Sequence, residues 1–144
     1  MSDKTSGELP AVILVVEDEI LLRELAVEVL EGAGFVALEA GDAQEAIGLL
    51  ETRPDISVLF TDINLPGPMD GLELVHVVRK RWPSIKILVA SGYARPQLSD
   101  LPLDSIFLGK PYRGETLIAG LRSLMTGCRA PFAEQGERFC SDLP

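Results

Sequence analysis

The sequence predicts an α/β domain of the doubly wound type: a five-stranded parallel sheet in the order 2-1-3-4-5 with helices on both faces. Three observations lead there. Five short apolar runs alternate with segments of helical periodicity. The first, third and fourth runs are almost unbroken Val, Ile and Leu, the composition of parallel strands covered on both sides. A length of 144 residues, 47% of them hydrophobic, suffices for one filled core. Right-handed crossovers favour this strand order, which sets ligands beyond the carboxyl ends of the strands, at the switch point between the first and third.

Residues 1–10, MSDKTSGELP, read as an N-terminal extension, and the domain is expected over residues 11–125. The first strand, Ala11 to Val16, runs into Glu17 and Asp18. In the helix that follows, Leu22, Leu25, Ala26, Val29 and Leu30 share one stripe expected to face the core, and Gly32 and Gly34 can end it. The second strand, Val36 to Ala40, is less apolar and belongs near an edge. Asp42 with Glu45, and Asp70 with Glu73, have the spacing of a capping box at the starts of the second and third helices. The second helix would bury Ala43, Ala46, Ile47 and Leu50; the third would bury Leu72, Leu74, Val75 and Val78 and stop before Pro83. Between them the third strand, Ile56 to Thr61, delivers Asp62.

The fourth strand, Lys86 to Ala90, delivers Ser91. The next crossover, SGYARPQLSDLPLDS, has Pro96 and Pro102 bracketing room for only about two turns, so the fourth helix should be shortened. Ser105 to Leu108 form the fifth strand, followed by Gly109, Lys110 and Pro111. A last helix would use Leu117, Ile118, Leu121, Leu124 and Met125. Residues 126–144 lose periodicity and collect Gly and Pro, so they are expected to form a tail without an effector domain.

Composition narrows the function. The formal net charge is −9, and an acidic surface repels phosphate backbones and anionic lipid. The densest basic run, Arg79 to Arg81, is too short to offset that, so no direct nucleic-acid partner is expected. No apolar run approaches the roughly 20 residues of a membrane span, and the first residues lack a secretory pattern, which predicts a cytoplasmic protein. Cys128 and Cys140 are too few and too peripheral for a disulfide framework, and with His76 as the sole histidine a zinc site lacks ligands. His76 itself reads as a helix-surface residue.

Taken strand by strand, one rim collects Glu17, Asp18, Asp62, Ser91 and Lys110. Three converging carboxylates repel one another, and hard oxygen ligands suit Mg²⁺. With a divalent ion bound, one carboxylate can attack a phosphoryl group while the ion, a lysine and a hydroxyl take its oxygens, so aspartyl phosphorylation is the chemistry expected. Each residue also has a plainer reading. Glu17 and Asp18 could open the first helix, Asp62 and Ser91 could serve turns, and Lys110 could be a solvated surface lysine. Their joint placement on one rim favours the functional reading.

The segments ILVVEDE, FTDINLPGPMDG, ILVASGYA and IFLGKPY, in this order, resemble the receiver domain of two-component response regulators. The resemblance implies the flavodoxin-like receiver fold and a phosphoryl group on Asp62, taken from a sensor histidine kinase or a histidine phosphotransferase. It further implies Mg²⁺ held by Asp18 and Asp62, by Glu17 through water and by the backbone carbonyl of Asn64. Ser91 would be the switch hydroxyl, Lys110 the phosphoryl-binding ammonium, Phe107 the rotameric switch, and the bond before Pro111 a cis peptide. A downstream protein partner, and a monomer or a phosphorylation-dependent dimer, belong to the same expectation.

Two departures from the pattern stand out. The Pro66, Gly67, Pro68 loop is one residue longer than in chemotaxis-type receivers, and Lys110 follows Ser91 at a tight spacing of 19. Competing readings are a phosphate sink or relay intermediate, a pseudo-receiver acting through contacts alone, and a haloacid-dehalogenase-type phosphatase. The last would want an acid where Asn64 stands. A nucleotide-binding module is disfavoured because EDEILL, after the first strand, contains no glycine.

Overall fold

The computed structural model describes residues 10–91 and 105–126. In chain order they form β1 (Val12–Val16), α1 (Ile20–Gly32), β2 (Val36–Ala40), α2 (Ala43–Thr52), β3 (Ile56–Asp62), α3 (Gly71–Arg81), β4 (Lys86–Ser91), β5 (Ile106–Gly109) and α4 (Gly114–Thr126). The five strands are parallel and run β2-β1-β3-β4-β5, the order expected from crossover handedness. The shortened fourth helix expected between Ser91 and Ser105, the N-terminal extension and the tail with Cys128 and Cys140 lie outside the described residues.

Two apolar layers sandwich the sheet. On one face Ala43, Ala46 and Leu50 of α2 and Leu74, Val75 and Val78 of α3 pack on Leu14, Val16, Leu59, Ile87 and Val89. On the other, Ala26 and Leu30 of α1 and Leu117, Leu121 and Leu124 of α4 cover Ile13, Val15, Phe60, Leu88 and Leu108. β1 and β3 are buried almost throughout, whereas β2 carries exposed Val36 and Glu39, as befits an edge.

The helix ends follow local chemistry. Asp70 and Glu73 form a complete capping box: the Asp70 carboxylate accepts the Glu73 N–H at 2.9 Å and Glu73 accepts the Asp70 N–H at 3.1 Å. At α2 the box is offset, with Asp42 accepting from Glu45 N–H at 2.8 Å while Glu45 reaches back to Gly41 N–H, also at 2.8 Å. α1 ends where Gly34 turns to φ 97°, a left-handed conformation that glycine adopts freely, and Phe35 N–H then closes on Leu30 O at 3.0 Å.

The first helix departs from its sequence reading. Ala26 and Leu30 are buried, but Leu22 and Leu25 are 37% and 56% exposed, and Ile20 and Leu21 beside them are 59% and 68% exposed. Periodicity placed Leu22 and Leu25 inward; the helix turns its small Ala26 to the sheet instead and leaves four large apolar side chains outside. Ile47, Leu72 and Ile118 are half-buried and Met125 is exposed, each at the margin of its stripe.

Candidate functional site

Strand register decides which side chains meet. Val16 pairs with Thr61, Asp62 with Ala90 and Ser91 with Gly109, so the residues that close these strands emerge along a single rim. Backbone bonds carry the alignment past the strands: Glu17 N–H donates to Ala40 O at 3.1 Å, Ile63 N–H to Ala90 O at 2.9 Å and Lys110 N–H to Ser91 O at 2.9 Å.

Glu17, Asp18 and Asp62 each place a carboxylate oxygen within 4.8 Å of the others. Glu17 and Asp62 are buried and Asp18 is exposed. Into this cluster reaches Lys110, whose Nζ lies 3.0 Å from Glu17 Oε1 and 3.2 Å from Asp62 Oδ2. Burial by itself would lower the pKa of that ammonium; the hydrogen bond to Glu17 and the charges of Asp62 and Glu17 outweigh it and hold the pKa above its ordinary value. One ammonium facing three carboxylates leaves a local excess of negative charge. An all-oxygen donor set with that excess is the chemical complement of a small divalent cation such as Mg²⁺.

The surrounding backbone supports the cluster. Glu17 Oε2 accepts Glu19 N–H at 3.2 Å, and the exposed Asn64 turns its N–H toward Asp62 Oδ1 at 3.4 Å. α1 starts only at Ile20, with Glu19 as its N-cap and no acidic residue in its first turn, so Glu17 and Asp18 stand ahead of the helix rather than inside it. Ser91 and Phe107 lie behind the rim at 4% and 3% exposure. Phe107, paired in register with Val89, is packed within the α2 and α3 side of the core. The Lys110–Pro111 peptide bond is cis.

A groove of about 750 Å³ includes the rim residues Glu17, Asp18, Asp62 and Lys110 and opens between α1 and the start of α4, with Leu22, Leu25 and Val29 on one wall and Tyr112 and Gly114 on the other. The Tyr112 ring meets Phe60 edge-on, centroids 5.7 Å apart. Burial pushes its phenol up to about 12, against the opposing pull of Lys110 and with the repulsion of Glu17 and Asp62 added. His76 is exposed, as its helix position suggested.

Three residues near the site escaped the sequence reading. Gly71 enters it only as the last residue of FTDINLPGPMDG, yet its Cα lies against the Asp62 backbone. Arg23 bonds the Glu17 carbonyl at 2.9 Å and Glu39 at 3.1 Å, and Tyr112 forms the groove wall. For Gly71, the glycine following the capping aspartate was a usable signal; Arg23 and Tyr112 offered none, since their partners are distant in sequence.

The family model of the response regulator receiver domain matches residues 13–121. This chain belongs to the response regulator receiver family. The receiver is 33% identical over 116 residues to the response regulator receiver protein CpdR of Brucella abortus, a match covering 78% of this chain and 95% of CpdR. It is 32% identical over 119 residues to the sensor kinase CckA of the same organism, spanning 80% of this chain but only 12% of the kinase. Among solved structures, a response regulator receiver protein from Sinorhizobium medicae superposes with a TM-score of 0.76 at 30% identity, covering 81% of this receiver and 95% of that chain. The receiver is thus a signalling module of two-component systems, with the five-stranded flavodoxin-like architecture of its structural neighbours. Among the described residues no helix is long and apolar enough to cross a membrane.

Proposed function

We propose that Asp62 of this receiver accepts a phosphoryl group from the phosphohistidine of a sensor histidine kinase or a histidine phosphotransferase, in a Mg²⁺-dependent reaction, and that the modified receiver signals by changing its contacts with a downstream protein. The observation that carries this reading is the Lys110 ammonium held between Glu17 and Asp62 in a rim of three close carboxylates. A nucleophilic carboxylate, a cation for the transferred group and oxygens for a metal are then all present within a few ångströms.

An Asp62 oxygen attacks phosphorus, a new O–P bond forms, and the P–N bond breaks with its electron pair left on the imidazole nitrogen. Mg²⁺, held by the carboxylates of Glu17, Asp18 and Asp62 and the backbone carbonyl of Asn64, would supply charge neutralisation at the phosphoryl oxygens. Lys110 follows the incoming charge, exchanging a carboxylate partner for a phosphoryl oxygen. Ser91 donates its hydroxyl to another. As Ser91 moves toward the phosphoryl group it vacates space that the buried Phe107 ring can fill, so the change is felt along β4 and β5.

The exposed Leu22 and Leu25, which line the same groove as the acidic rim, and the exposed Ile20 and Leu21 at the start of the helix support α1 as the surface on which the phosphoryl donor docks. The decisive experiment is intact mass and peptide mapping after incubation with acetyl phosphate, in Mg²⁺ or in EDTA, on the wild type and Asp62→Asn. A Mg²⁺-dependent gain of one phosphoryl group on Asp62 is expected; the same gain in Asp62→Asn would overturn the assignment. No gain in the wild type, with no response to beryllofluoride, would point to a pseudo-receiver.

A further inference from the structure

The guanidinium of Arg23 sits astride the ends of two strands. Its Nη1 donates to the Glu17 carbonyl at 2.9 Å, its Nε donates to Glu39 Oε1 on β2 at 3.1 Å, and its side chain is only 19% exposed. The position is built to fit. A Cβ at Gly41 would come within 3.3 Å of Nη1, so the glycine that follows β2 leaves the space the guanidinium occupies. Glu17 N–H meanwhile donates to Ala40 O, so both backbone faces of Glu17 are tied toward the β2 edge.

We infer that Arg23 is a positioning residue: it fixes the peptide between Glu17 and Asp18, and through it the direction in which the two carboxylates reach the cation site. The inference rests on the Mg²⁺ reading of the rim. Arg23 touches neither phosphoryl group nor cluster oxygen, and acts only through the Glu17 carbonyl and the β2 edge. A planar fork holding two acceptors on separate elements is work that arginine does and lysine does poorly.

The sign of the effect separates positioning from charge. Arg23 is a cation beside an acidic cluster, so its charge alone disfavours Mg²⁺, and removing that charge should tighten Mg²⁺ binding. Loss of positioning should weaken it, on the order of 10-fold, the usual scale when a group behind a metal ligand is removed. The experiment is calorimetric Mg²⁺ titration of the purified full chain as wild type, Arg23→Ala, Arg23→Lys and Glu39→Gln, with the folded fraction of each checked by thermal melting. Expected are about 10-fold weaker binding for Arg23→Ala, an intermediate loss for Arg23→Lys, and roughly 2-fold weaker binding for Glu39→Gln, whose exposed partner position leaves folding intact. Equal or tighter Mg²⁺ binding by folded Arg23→Ala would overturn the inference, as would variants that lose melting temperature alone. Should Arg23→Ala not fold, unchanged or tighter binding by folded Arg23→Lys, which keeps the charge and loses the fork, would overturn it. Absence of Mg²⁺ binding by the wild type would overturn the reading of the rim itself, and the inference with it.

Discussion

Gly71 lies directly against the backbone of Asp62: a Cβ at position 71 would overlap the Asp62 carbonyl oxygen and stand 2.6 Å from Ile63 Cα. Gly71 N–H also donates to Ile63 O at 2.7 Å, so the start of α3 is clamped onto the end of β3. Gly71→Ala must therefore push the two elements apart. We expect a loss of about 1–3 kcal/mol in urea unfolding, the scale of forced overpacking, together with slower labelling of Asp62 by acetyl phosphate. An unchanged unfolding midpoint would show that the contact is relieved at no cost.

Lys110→Ala removes the ammonium from two buried carboxylates. In EDTA the variant should lose about 1.5–3 kcal/mol relative to wild type, the range for hydrogen bonds to charged groups, and Mg²⁺ should restore much of it by replacing the missing cation. Paired thermal melts with and without Mg²⁺ test this. Equal losses in both conditions would mean that Lys110 and the metal do not answer the same charge.

If the rim holds Mg²⁺ as proposed, binding should raise stability by linkage, by about 2.7 kcal/mol at one hundred times its dissociation constant. Asp18→Asn and Asp62→Asn should each reduce that gain, whereas Asp55→Asn, at an exposed ion pair with Arg53 outside the cluster, should leave it intact. The measurement is melting temperature against Mg²⁺ concentration. A gain that survives Asp62→Asn in full would place the ion elsewhere.

The raised phenol of Tyr112 gives a pH signature. With a folded-state value of about 12 against 10.0, its contribution to stability is complete below pH 10 and is lost as pH rises toward 12. Absorbance titration should show one phenol ionising late, and Tyr112→Phe should remove it and flatten the alkaline loss of stability. The raised ammonium of Lys110 titrates with the same sign, so the variant keeps a residual slope. Both tyrosines ionising near pH 10 in the wild type would contradict the burial of the ring.

Leu25 is 56% exposed, so Leu25→Asp should cost little stability. If α1 receives the phosphoryl donor, transfer from a cognate histidine kinase or phosphotransferase should fall about tenfold or more while labelling by acetyl phosphate is unchanged. Equal rates from the protein donor would move the docking surface elsewhere.

Much of this was legible because it follows from local rules. The runs from Val12, Ile56 and Lys86 could only be covered strands, Asp70 with Glu73 announced the α3 cap, and the rim followed from strand order. The outward turn of Leu22 and Leu25 was not legible, because a helical stripe records which residues are apolar and not which of them the neighbouring sheet can accept. Arg23 was hidden for another reason: Glu17 and Glu39 lie 6 and 16 positions away, and only the pairing of β1 with β2 brings them together. The close approach of Gly71 to Asp62 likewise depends on where α3 lands on the sheet.

The bond between Lys110 and Glu17 joins residues 93 positions apart. Contacts of that separation form late and only together with the sheet that spans them. A chain still emerging from synthesis can therefore present Asp62 long before it presents the ammonium opposite. The candidate site is therefore complete only once the sheet from β1 to β5 has formed around it.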